Sequence, residues 1–214
     1  MQLTIREPGS AITHFIGCLM ALIAASPLLI KAHGNITYML AMTIFATSMV
    51  LLYAASTIYH SICHVSAKVL RNFQKLDHMM IFVLIAGSYT PVCMIILGGR
   101  IGYTLLALVW GIAVAGIIIK GLWITCPKWF SSLIYIAMGW VCVLAIRQII
   151  LALPRAAFGW LLAGGIIYTV GGVIYALKLP IFNSRHKYFG SHEIFHLFVM
   201  GGSFCHYIMM YAFV

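Results

Sequence analysis

The 214-residue chain is 64% hydrophobic and 7% charged, with a mean hydropathy of +1.07. One soluble core of this size cannot hide so much apolar surface, which excludes an ordinary water-soluble domain and indicates a polytopic membrane protein. A formal charge of +10 would suggest nucleic acid in a soluble domain, but the basic residues fall mainly between apolar runs, where they orient helices against an anionic leaflet. Nucleic acid is therefore not an expected partner.

A helix needs about 20 residues to cross roughly 30 Å of hydrocarbon. Seven apolar runs qualify, at about 11–30, 38–60, 77–98, 101–120, 130–150, 158–177 and 190–213. The expected fold is a single all-α domain over residues 1–214, a bundle of seven transmembrane helices. Arg6 precedes the first run, which contains the small-residue stretch "ALIAAS". That run extends for a full span, so it reads as a helix and not as a cleaved signal peptide. Its first residues include His14.

The second run ends in "STIYHSICH", which places Ser56, His60 and His64 one turn apart at one membrane face. The third begins with Asp77 and His78 and contains "AGSYTP", whose small residues suit close helix approach and whose Pro91 predicts a kink. "AGGIIYTVGG" in the sixth run offers Gly164 and Gly171 seven apart on one face. Several of Trp110, Trp123, Trp129, Trp140 and Trp160 suit interfacial anchoring. Six scattered cysteines form no CxxC and read as small buried apolar residues.

The seventh run carries "HEIFH", and His192 and His196, four apart, project from one helix face. A third imidazole is available from His60, with His64 an alternative that falls past the helix end. Three neutral imidazoles with an open fourth position describe a catalytic zinc site, whereas four closed protein ligands describe a structural one. Asp77, one of only three acidic residues, is a candidate to orient a water on such a metal or take its proton, and Ser56 a candidate to donate to a substrate oxyanion. The competing reading is that membrane histidines bond neighbouring helices or reach the interface. His78 fits either role.

His206 lies fourteen residues beyond His192, about 21 Å farther along the axis, so an interhelical hydrogen bond in the outer half is expected there. Glu193 points about 100° away from His192. It is expected to bond Arg185 or Lys187, or to serve as a helix N-terminal carboxylate, and not to bind metal.

With seven spans the termini face opposite sides. A cytoplasmic N-terminus puts nine basic residues inside (Arg6, Lys68, Arg71, Lys75, Lys120, Lys128, Lys178, Arg185, Lys187) against four outside (Lys31, Arg100, Arg147, Arg155). That orientation, with the C-terminus outside, collects His14, Ser56, His60, Asp77, His192 and His196 near the cytoplasmic face.

The stretches "EPGSAITH", "STIYH", "LDHMMIFVLIAGSYTP" and "HEIFHLFVMGGSFCH" resemble, in order and spacing, those of the hemolysin III proteins, the bacterial branch of the progestin and adipoQ receptor family. The resemblance covers nearly the whole chain. It implies a seven-helix bundle in the cell membrane with Zn2+ near the cytoplasmic face, held by His60, His192 and His196, with the family's aspartate and serine falling on Asp77 and Ser56. Where relatives often carry asparagine this chain has Ser10, which could cap the first helix. The wider family is related to membrane ceramidases, and its animal members are credited with zinc-dependent hydrolysis of a lipid amide. The leading expectation is thus a zinc-dependent hydrolase of a lipid amide or ester, with a membrane lipid as substrate. The alternatives are a non-enzymatic, receptor-like regulator of membrane state or a cytolysin; a transporter finds support only in His206.

Overall fold

The computed structural model describes residues 5–177 and 189–214. All regular structure among them is helical: α1 (Pro8–Ala32), α2 (Ile36–Ser61), α3 (Ala67–Pro91) running into a π turn (Val92–Leu97), α4 (Gly99–Leu122), α5 (Lys128–Gly139), a 3-10 turn (Val141–Ala145), α6 (Ile146–Ala152), α7 (Arg155–Leu177) and α8 (Ser191–Phe213). These make seven segments long and apolar enough to cross a membrane, α5 and α6 together forming the fifth.

Local chemistry sets the helix ends. Pro8 opens α1 at the position where a missing N–H costs nothing. Gly34, at φ +93°, turns the chain towards α2, where the Asn35 side chain accepts from the N–H groups of Thr37 and Tyr38 at 2.9 and 3.2 Å. Ser66 caps α3 in the same way through Val69 N–H. The helix it opens starts ten residues before the expected start of the third span. The basic residues Lys68, Arg71 and Lys75 thus belong to the first turns of a long helix and not to a loop, and Asp77 stands about three turns inside it.

At Pro91 the α-helix gives way to the π turn, which closes with Gly98 N–H donating to Cys93 O at 3.0 Å. The fifth span is broken at Gly139 and Trp140 without any proline. Tyr89 of α3 fills the break: its hydroxyl donates to Gly139 O at 2.6 Å and accepts from Cys142 N–H at 2.9 Å. An irregular backbone is tolerated at membrane depth only where another part of the protein satisfies it, and this one side chain does so.

The helices close into a ring. α8 packs on α7 and α1, α1 on α2, α2 on α3, and α5 bridges α3 and α7, while α4 lies outside against α3. The six inner segments surround a cavity that reaches from Asp77, His192 and His196 at one end to His206 at the other. Close approach depends on glycine: a Cβ on Gly164 would meet the His206 ring at 2.4 Å, and one on Gly171 would meet Phe198 Cβ at 2.6 Å.

Candidate metal centre

His60 closes the last turn of α2, and His192 and His196 occupy the first two turns of α8. One ring nitrogen from each lies within 4.8 Å of the others, so the group could hold a metal ion. His60 and His196 are buried, at 1% and 2% exposure.

The hydrogen bonds around the rings fix which nitrogens are free. The His60 Nδ1–H donates to Glu7 Oε2, and Glu7 N–H bonds His60 O at 3.0 Å, so the entry to α1 is clamped to the end of α2. This bond holds the Glu7 carboxyl below the usual carboxylate range, with the neighbouring Arg6 guanidinium adding to the effect. An anionic acceptor at Nδ1 leaves the lone pair of His60 on Nε2. The Thr13 hydroxyl directs its proton to Gly9 O and Ser10 O, both at 3.0 Å, and therefore accepts from His196 Nδ1–H at 3.2 Å. His196 also presents Nε2 as its lone pair.

His192 Nε2 faces His60 Nε2 at 3.3 Å. Two imidazoles bound to zinc at about 2.0–2.1 Å with tetrahedral angles stand about 3.3–3.4 Å apart, so this pair already has the spacing of two ligands on one ion. The donor set, its lone pairs and the carboxylate behind His60 all fit a divalent metal that favours nitrogen.

The neighbouring polar groups complete the site. Asp77, 6% exposed, faces His60 and Ser56, and Ser56 Oγ is fully buried without a well-formed hydrogen bond. His14 lies flat on His196, with ring centroids 3.6 Å apart and planes 7° from parallel, and neither of its ring nitrogens has a partner among the described residues. His14, Ser56, Asp77, His192 and His196 all line the cavity.

The remaining expectations sort by position. His64 stands beyond the end of α2 with φ +57° and is not in the three-histidine group. Glu193 is turned away from the metal group: it accepts from Gly190 N–H at 2.7 Å and from the Ser10 hydroxyl at 2.5 Å, acting as a helix N-terminal carboxylate. Its other expected partners, Arg185 and Lys187, and the basic Lys178 lie outside the described residues. Ser10 is not a cap, because it sits inside α1 and ties that helix to α8. His206 makes the expected interhelical contact, Nε2 to Leu161 O at 3.3 Å.

The roles of Glu7 and Thr13 were not expected from the sequence. The signal was present, since Glu7, Ser10 and His14 recur at i, i+3 and i+7 and so share the α1 face turned towards α2 and α8.

The chain is similar in sequence to known proteins. Residues 3–207 match the family model described as "Haemolysin-III related". The chain is 42% identical to Hemolysin-3 of Bacillus cereus over 94% of its own length and 89% of that protein's. It is 39% identical to a Hemolysin-3 homolog of Bacillus subtilis, covering 94% and 91% of the two chains. A more distant relative, the progestin and adipoQ receptor-like protein 1 of Caenorhabditis elegans, is 29% identical, with about half of its length matched. The chain belongs to the haemolysin-III related family, as a multi-pass membrane protein with seven spanning helices.

Proposed function

We propose that this protein is a zinc-dependent hydrolase acting on the amide or ester of a membrane lipid that enters the bundle from the side. The observation that carries the reading is the convergence of three imidazole nitrogens with a buried carboxyl group, Asp77, and a buried hydroxyl beside it, Ser56, around one largely apolar cavity.

His60, His192 and His196 would hold the zinc ion, which would supply Lewis acidity and activate water as the nucleophile. Asp77, as a carboxylate, accepts the proton released there on one of its oxygens. Ser56 donates to the oxygen on which negative charge develops. Glu7 and Thr13 fix the rings of His60 and His196, so the ligands need little reorganisation. The apolar walls, including Leu52, Ile81 and Val199, take up acyl chain and exclude water.

The excess of basic residues at the metal end supports a cytoplasmic position for it. Under this topology Cys63, in the connection after α2, is alkylated by a membrane-impermeant thiol reagent only from the cytoplasmic side. Labelling from outside would reverse the orientation.

The function is tested by incubating purified protein with a total membrane-lipid extract and following the products by mass spectrometry. Release of a fatty acid by the wild type but not by Asp77→Asn supports the hydrolase. Stoichiometric metal with no change in any lipid would refute turnover. The name of the Bacillus cereus relative carries the alternative: lysis of red cells by purified protein that survives Asp77→Asn and His196→Ala would favour a cytolysin.

A further inference from the structure

Lys120, in the last turn of α4, is buried at 2% exposure, and its Nζ donates to Ser131 Oγ at 2.6 Å and to Cys126 Sγ at 3.1 Å. No carboxylate balances it. The chain has three acidic residues, Glu7, Asp77 and Glu193, and the ion pairs among the described residues join only Glu7 to Arg6 and His60. A buried ammonium without a counter-charge is costly, so its presence in a membrane span calls for one.

The surroundings point into the cavity. Ser131 lines it, and so does Ser132, 3% exposed, whose buried Oγ has no hydrogen-bond partner among the described residues. His78 lines the same corner with its Nδ1 likewise unpartnered, and it faces both Lys120 and Lys128. Both serines stand within two turns of the N-terminus of α5, whose partial positive charge adds to that of the lysines. This corner belongs to α3, α4 and α5 and contains no residue of the three-histidine group, which comes from α2 and α8.

We propose that this corner is a subsite for an anionic oxygen group, a carboxylate or a phosphate, of an amphiphile whose apolar part occupies the cavity. Ser132 donates directly to the anion. Lys120 supplies the charge, relayed by the Ser131 hydroxyl, which accepts from Nζ; its own proton, directed at Pro127 O at 3.4 Å in this structure, turns towards the ligand on binding. The inference rests on the proposed function only in taking the occupant to be a lipid; it does not depend on the metal or on turnover.

The test is equilibrium binding to the purified full-length protein in neutral detergent, using two matched pairs: oleate against oleyl alcohol, and oleoyl lysophosphatidic acid against monooleoylglycerol. The wild type prefers the anionic member of at least one pair by about ten-fold or more, the range of a charge-assisted hydrogen bond. The preferred pair distinguishes carboxylate from phosphate. Lys120→Met abolishes the preference while keeping the affinity for the neutral member, and Ser132→Ala reduces it several-fold; Ser132→Ala decides if the lysine variant fails to fold. His196→Ala leaves the preference intact, which separates this subsite from the metal centre.

Equal affinity for both members in the wild type overturns the proposal. A preference undiminished in Lys120→Met and Ser132→Ala overturns it too. Binding of none of the four amphiphiles overturns the lipid site itself along with this subsite, whereas binding without turnover leaves the subsite standing and removes only the hydrolase.

Discussion

The Nε2 atoms of His60 and His192 face each other at 3.3 Å across 132 residues of chain. Two bare lone pairs would repel at that distance, so the arrangement is stable only with a proton or a cation between them. Glu7 orients the pair, because its carboxylate accepts the Nδ1–H of His60 and leaves the Nε2 lone pair of that ring aimed inward.

Removing that carboxylate should therefore loosen the metal. Glu7→Ala is expected to weaken zinc binding by about 10- to 100-fold, the usual cost of losing the partner behind a ligating histidine. Glu7→Gln, whose amide oxygen still accepts, should lose less. Thr13→Val should act on His196 in the same direction. Competition titration against a chelator of known affinity measures all three, and unchanged affinity in Glu7→Ala would remove Glu7 from the site.

Asp77 and Ser56 should separate chemistry from metal binding. Asp77→Asn is expected to keep wild-type metal content and to lose about 100-fold or more in the rate of lipid cleavage. Ser56→Ala should lose a similar factor, as expected when one donor to a developing oxyanion is removed. Metal analysis beside product mass spectrometry distinguishes this result from simple loss of the ion.

The seven spans and the grouping of His60, His192 and His196 were legible in the sequence because a hydrophobic length and an i, i+4 pair are local signals. The groups that hold the ligating rings were harder to read. Glu7 and Thr13 act on histidines of other helices, and only the packing of α1 between α2 and α8 makes those contacts. The third helix was read ten residues short, because Lys68, Arg71 and Lys75 lower its hydropathy without lowering its helix propensity. The break in the fifth span was invisible: "GWVCVLA" contains no proline, and its irregular backbone persists because a tyrosine fifty residues earlier satisfies it.

That tyrosine carries the next prediction. Tyr89→Phe leaves Gly139 O and Cys142 N–H without their partner inside the bundle, at a cost of about 1–3 kcal/mol. The thermal unfolding midpoint in detergent should fall, with metal content unchanged. An unaltered midpoint would show that the break is satisfied in some other way.

Gly164 should prove tied to His206. Gly164→Ala places a Cβ against that ring and is expected to destabilise the bundle by about 1–3 kcal/mol. The double variant Gly164→Ala with His206→Ala should be less destabilised than the sum of the two single changes, since the clash is then absent. Strict additivity in thermal unfolding would contradict the contact.

The central claim is that His60, His192 and His196 hold one metal ion. Its most direct test is the metal content of the purified protein, wild type beside each of His60→Ala, His192→Ala and His196→Ala, after exchange into metal-free buffer. Close to one zinc per wild-type chain is expected, with near-complete loss in each variant and His206→Ala unaffected. A wild-type protein that folds and retains no metal, or variants that retain it in full, would contradict the account.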